Sequence, residues 1–315
     1  MKIVFMGTPE LAAVILEDML AAKEDIIAVV TQTDKPKGRG KEMAISAVKE
    51  VALKHDIPVY QPMRAKDEAF IAEMAALNPD MIVVAAYGKI LPKAILDMPK
   101  YGCINVHTSL LPKYRGSAPI NWVVIDGEEK TGVTIMHMDE GIDTGDMILK
   151  VEVPIEKKET AGTLHDKLAK AGSKALLEAL GQIKAGTAKR EKQDDSLSSY
   201  VKMLDKQLGN IDFNKSAVEI ERLIRGLNPW PSAFTSLGQK TLKIWDADVC
   251  EDEELVKQAS SMENGTVAFV QKNTFYIKTG DGLLQINELQ LEGKKRMHAG
   301  DFLRGVALEA GTKLG

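Results

Sequence analysis

Along the N-terminal half of the chain, short β-branched runs alternate with longer stretches in which apolar residues recur every three or four positions. The runs at 3–6, 26–31, 81–86, 103–107 and 132–138 predict strands. The stretches at 9–22, 43–55, 66–77, 118–126 and 160–183 predict helices. In the last of these, Leu164, Leu168, Ala171 and Ala175 fall on one stripe, and Ser117 with Pro119 just after it marks the start of the fourth. Parallel strands need helix-length crossovers, and these segments supply them. The expected fold is therefore α/β, a doubly wound and mostly parallel Rossmann-like sheet covered on both faces.

The pattern changes near residue 189. Between 189 and 209 polar residues dominate without periodicity, which predicts a linker between a domain at 1–188 and a second at 210–315. Ser216-Ala-Val-Glu219 is a capping box opening a helix that Gly226 and Pro229 close. Short alternating stretches follow at 241–244, 266–270, 274–278 and 283–291, with turns such as Thr279-Gly-Asp-Gly282 between them. That spacing predicts a small antiparallel domain, a sandwich or a β-barrel, of which the OB-like β-barrel is the expected fold.

A length of 315 residues with 44% hydrophobic content is enough for one full core and a smaller one, in keeping with two domains. The net charge of -4 argues against a general polyanion binder, so any contact with nucleic acid must be local. Cys103 and Cys250 stand far apart, which disfavours a disulfide framework and a zinc site and fits a reducing compartment. No apolar run is long enough to span a bilayer, and the N-terminus lacks a signal-peptide pattern, so a soluble cytoplasmic protein without membrane contact is expected. Met6-Gly-Thr-Pro-Glu10 has the tight turn of a doubly wound fold but not the three-glycine dinucleotide fingerprint, and no Cys/His/carboxylate spacing predicts a metal.

The chemistry concentrates in Asn105 and His107, two residues apart in a predicted strand, and in Asp143 beyond a later apolar run. Alternate side chains of a strand share a face, so an amide and an imidazole would project together with Ile104 and Val106 packed behind them. His107 and Asp143 each follow a predicted strand, and open parallel sheets bind ligands beyond the carboxyl ends of their strands, so the two are expected to meet there. An amide that donates without titrating, beside an imidazole paired with a carboxylate, suits a tetrahedral oxyanion formed in direct acyl transfer. No Gly-x-Ser-x-Gly elbow points to a covalent intermediate.

The run from Asn105 to Gly116, Asn-Val-His-Thr-Ser-Leu-Leu-Pro-Lys-Tyr-Arg-Gly, with Met138-Asp-Glu-Gly-Ile-Asp-Thr-Gly-Asp146 after it, resembles the active-site signature of the folate-dependent formyltransferases. Thr108 stands where that pattern has proline. The resemblance implies that 10-formyltetrahydrofolate is the formyl donor and that Asn105 and His107 stabilise the oxyanion. It also implies that Asp143 orients His107 and takes the proton of the attacking amine through water. The family's folate cleft maps onto Ser109, Leu110, Leu111 and Pro112, with loop 138–143 offering backbone groups to the pterin.

The basic stretch holding Lys35, Lys37, Arg39 and Lys41 resembles the loop of those family members that act on methionyl initiator tRNA, and residues 220–234 resemble their domain junction. This implies methionyl initiator tRNA as acceptor, with Arg39 and Lys41 the first candidates for contact with it and the C-terminal domain assisting. From Asp205 onward acidic residues slightly outnumber basic ones, and only Lys294-Lys-Arg296 forms a compact basic cluster. A monomer is expected. Formyl transfer to the amine of a sugar nucleotide, and a noncatalytic tRNA-binding module, stay open as alternatives.

Overall fold

Apolar runs without alternation need cover on both faces, and in the N-terminal half they form the central sheet of the first of two units. The computed structural model describes residues 1–37 and 42–315. The first unit comprises Met1–Pro119, Lys130–Pro154 and His165–Lys202. Its strands are β1 (Lys2–Gly7), β2 (Asp25–Val30), β3 (Val59–Tyr60), β4 (Met81–Ala85), β5 (Cys103–His107), β6 (Lys130–His137) and β7 (Met147–Pro154), in the order β7-β6-β5-β4-β1-β2-β3. From β5 to β3 all neighbours pair in parallel, whereas β6 runs against β5 and β7 against β6. Val4, Met6 and Ile82 are wholly buried in a cluster with Phe70, Met74 and Ile95. Each such side chain contributes roughly 1.5–3 kcal/mol relative to an exposed one.

Four expectations are corrected. The run at 132–138 is a strand but antiparallel to its neighbour, outside the βαβ alternation. Two further strands lie outside the predicted runs: Val59–Tyr60 is too short to carry periodicity, whereas Met147–Pro154, an edge strand, does alternate Leu149, Val151 and Val153 with Lys150 and Glu152, a signal those runs omit. The helix expected from residue 43 begins at Ala47, after Ser46 accepts the Lys49 amide at 3.1 Å, while Glu42–Ala44 pairs with Lys35–Lys37. The segment expected to be a linker is docked on the first unit as far as Lys202: Met147 bridges Glu191, Gln193 is buried, and Tyr200–Val201 pairs with Arg115–Gly116. Its polar side chains meet partners far away in sequence, which leaves no local pattern to read.

The second unit contains Ile120–Glu129, Ile155–Leu164 and Met203–Gly315. The capping box is present, with the Ser216 hydroxyl accepting the Glu219 amide at 3.2 Å and the Glu219 carboxylate accepting the Ser216 amide at 3.0 Å. Strands β8 (Ala233–Leu237), β9 (Lys240–Val249), β10 (Val267–Val270), β11 (Phe275–Lys278) and β12 (Leu283–Leu291) follow the antiparallel order β8-β9-β12-β11-β10, and β13 (Met297–His298) pairs with β12. Among the described residues no ladder joins β8 to β10, so the antiparallel domain expected here follows an open path. Its core holds Leu242, Ile244, Phe275, Ile277, Ile286 and Phe302. Two excursions from the N-terminal half complete it: Asn121 donates to the Gly226 carbonyl at 2.7 Å, and Lys158 pairs with Asp248. No helix among the described residues is long and apolar enough to cross a membrane.

Candidate active site

Asn105 and His107 sit on β5, where the pleat turns them to one face and buries Ile104 and Val106 on the other. Asp143 lies in the turn between β6 and β7, with a left-handed backbone at φ +55°. Its Oδ1 is 3.5 Å from Asn105 Nδ2 and 3.6 Å from His107 Nδ1, and its Oδ2 accepts the Gly116 amide at 2.8 Å. Carboxamide, imidazole and carboxylate therefore converge.

They converge by a route other than the expected one. Because β6 runs against β5, with His137 opposite Ile104, the turn carrying Asp143 leaves from the amino end of β5 rather than beyond its carboxyl end. The turn brings Asp143 back to the face that holds Asn105 and His107. Nor is the carboxylate what orients the imidazole most directly. His107 Nε2 lies 2.9 Å from the Tyr114 carbonyl oxygen, which can only accept, so Nε2 carries the hydrogen. Nδ1 is then the nitrogen left to exchange a proton, facing Asp143 at ion-pair rather than hydrogen-bond distance. The imidazole is 6% exposed and the carboxylate 16%, so charges here are less screened than at the surface.

The segment following the site is held mainly by Thr134. Its hydroxyl donates to the Ser109 carbonyl at 2.7 Å and accepts the Leu111 amide at 3.1 Å. Ser109 is buried and donates to the Lys113 carbonyl at 2.8 Å, and Leu111 packs with Met136 and Met147. Of the four residues mapped to a folate cleft, these two therefore have their side chains committed within the protein, whereas Leu110 is half-buried and Pro112 follows Leu111 in a cis peptide. In loop 138–146, Asp139 accepts the Gly141 amide at 3.0 Å and the Thr144 hydroxyl at 2.7 Å, and Ile142 is exposed.

Of the basic residues, Lys35 donates to Gln32 at 3.0 Å, and Lys37 lies in the strand paired with Glu42–Ala44. Arg39 and Lys41 lie outside the described residues. The base of this hairpin is set by Asp34, which accepts Lys49 Nζ at 2.6 Å and Gln61 Nε2 at 2.7 Å; these bonds hold its carboxyl below the usual range. In the second unit, Arg296 pairs with Glu288 and lies 5.1 Å over the Trp245 ring, while Trp230 is 55% exposed. His137 accepts from Arg190 at 3.3 Å, and burial, aided by the Arg190 charge, lowers its pKa to about 4. No group of three or more metal-ligating side chains is assembled among the described residues.

Four residues around Asp143 are not among those the sequence singled out. Gln193 donates to the carbonyls of Asp143 and Gly145 at 2.8 Å each, and Arg115, Asp195 and Tyr200 extend from it. Arg115 stands inside the signature run, which was its one available signal; Gln193 had none. Gly116 is required by geometry: at φ +108°, a methyl group would sit 2.5 Å from the Val201 carbonyl oxygen. Gly116→Ala should therefore lower stability by about 1–3 kcal/mol and displace the amide that holds Asp143. Thermal unfolding and kcat measured together test this; an unaltered melting curve would be contrary to it.

The doubly wound sheet presents an amide and an imidazole on one face with a carboxylate brought against them by a turn, and the class of protein is given by comparison with known families. A family described as "Formyl transferase" matches residues 1–180, and "Formyl transferase, C-terminal domain" matches residues 203–307. The chain belongs to the formyl transferase family. Within it, the chain is 56% identical over 315 residues to the methionyl-tRNA formyltransferase of Lachnospira eligens and 52% identical over 315 residues to that of Clostridioides difficile, covering 100% of both chains in each case. Among solved structures, the sugar 3N-formyl transferase WlaRD superposes with a TM-score of 0.68 at 22% identity, over 94% of this chain and 99% of that one. The N-formyltransferase of Helicobacter canadensis gives 0.65 at 20% identity, over 94% of this chain and 100% of that one. At that identity the likeness is one of fold.

Proposed function

We propose that this enzyme transfers the formyl group of 10-formyltetrahydrofolate to the α-amine of methionyl initiator tRNA, with Asn105, His107 and Asp143 as its catalytic residues. The observation that carries the reading is their convergence within 3.6 Å, and full-length identity to named methionyl-tRNA formyltransferases supports the acceptor. The unprotonated amine attacks the formyl carbon, and the carbonyl electron pair moves onto oxygen. Asn105 Nδ2–H and protonated His107 Nδ1 donate to that oxyanion, while Nε2 stays bound to the Tyr114 carbonyl. Asp143 faces Nδ1 and accepts the ammonium proton through water. As the carbonyl re-forms, the bond to folate N10 breaks, and that nitrogen leaves with the proton that Asp143 took, returned through water.

Supplying the donor with charged initiator tRNA, with an amino-sugar nucleotide, or with water alone tests this. Tetrahydrofolate release should depend on the charged tRNA. Release driven by the sugar nucleotide would overturn the acceptor assignment, and tRNA binding without release would leave a binding module only.

Lys35, Lys37, Arg39 and Lys41 are assigned here to the acceptor arm, with the C-terminal unit assisting, in a monomeric cytoplasmic enzyme. Double replacement of Arg39 and Lys41 by alanine is expected to raise the KM for tRNA and leave that for the folate donor near its starting value. The slope of log affinity against log salt should fall by roughly one for each phosphate the protein no longer neutralises. Equal losses for both substrates would contradict the assignment.

A further inference from the structure

We propose that Gln193 and Arg115 form a buried strap whose function is to position Asp143, so that the polar segment after residue 190 is part of the machinery of transfer; this rests on the role given to Asp143 above. The Gln193 carboxamide is fully engaged. Its Nε2 donates to the Asp143 and Gly145 carbonyls at 2.8 Å each, and its Oε1 accepts Arg115 Nε at 3.0 Å and Nη2 at 2.8 Å. Both side chains are almost wholly buried, Arg115 at 2% and Gln193 at 5% exposure.

A buried guanidinium without partners would be costly, but this one is held from outside. Asp195 accepts Nη2 at 2.7 Å, the Tyr200 hydroxyl lies 3.1 Å from Nη1, and the Tyr200 ring centroid is 5.6 Å from the guanidinium carbon. Burial works against the charge, but the Asp195 and Tyr200 hydrogen bonds outweigh it and raise the pKa above the ordinary arginine value. The charge thus stays, fixing the face that Gln193 must present.

Asp143 needs such a hold. A left-handed backbone costs a non-glycine residue of order 1–3 kcal/mol and persists only where its surroundings over-determine it. Two fixations are present, and both trace to the same segment. Gln193 holds the Asp143 carbonyl, while the Gly116 amide holds its carboxylate at 2.8 Å. Gly116 is itself kept in place by the pairing of Arg115–Gly116 with Tyr200–Val201, in which the Arg115 amide donates to the Ser199 carbonyl at 2.8 Å. The oxygen facing His107 Nδ1 is thereby set from both ends.

Gln193→Glu isolates the positioning role. The carboxylate leaves Arg115 an acceptor but sets an oxygen against the two carbonyls that Nε2 now binds. Because a displacement near 1 Å can cost about 10²-fold, kcat per folded molecule is expected to fall roughly 10- to 100-fold, with both KM values within about twofold and a lowered melting temperature. Unchanged kcat per folded molecule, whatever the melting temperature, would overturn the strap. If Gln193→Glu does not fold, Asp195→Asn combined with Tyr200→Phe loosens Arg115 from its exposed side; a kcat loss of about 3- to 10-fold at constant KM is then expected, and full kcat overturns the proposal. Asn105→Ala and Asp143→Ala are assayed alongside. Turnover retained in those two overturns the underlying site and the strap with it, whereas turnover lost in them but kept in Gln193→Glu overturns the strap alone.

Discussion

Asn105→Ala is expected to lower kcat for formyl transfer by about 10²–10³-fold, the usual effect of removing one preorganised oxyanion donor, or roughly 2.7–4 kcal/mol of transition-state stabilisation. Nothing in the fold should give way with it. The side chain is half-buried, and its hydrogen bond to Asp143, at 3.5 Å, is at the long limit for such a bond. A donor so loosely engaged remains available to charge that develops later. The neighbours that pack β5, Ile104 and Val106, lie on the opposite face and are untouched. Steady-state kinetics with charged tRNA and the folate donor, alongside thermal unfolding, test this. Turnover within a few-fold of the unaltered enzyme would remove Asn105 from the chemistry.

The second large effect concerns His107 and Asp143 as one unit. Each alanine variant alone is expected to lose on the order of 10²–10⁴-fold in kcat, the range for a positioned acid or base. The double variant should lose little more than the worse single one, because groups that act through each other fail together. The geometry motivates this: Asp143 Oδ1 faces the one imidazole nitrogen not committed to a carbonyl. A carboxylate that acts chiefly through the imidazole it faces has little left to do once the imidazole is gone. Losses that multiply in a double-mutant cycle would mean that the two act independently, and would confine Asp143 to its own proton transfer.

Much of this could be read from local pattern. The five strand runs of the N-terminal half, the stripe of the long helix Ala161–Ala185 and the Ser216 capping box depend on neighbours at most a few residues away, and each is present. The shared face of Asn105 and His107 follows from the two-residue period of a strand alone. What escaped the sequence was direction and partnership. The run at 132–138 has the composition of a strand whichever way it points, so its antiparallel course, and with it the side from which Asp143 approaches, had no signature. Residues 43–44 satisfied a helical count but went to a ladder with Lys35–Lys37.

The resemblance nominates Asn105, His107 and Asp143, whereas most strand and helix positions and the shared face of Asn105 and His107 are consequences of spacing along the chain, which pleat and helical repeat convert directly into faces. The hold on those groups is not. Gln193 meets Asp143 and Arg115 across 50 and 78 residues of chain, and its surroundings in sequence are those of any solvated tether. Hydrogen bonds between such distant polar groups exist only once the sheet has brought their backbones together, so that part of the site is a property of the folded molecule.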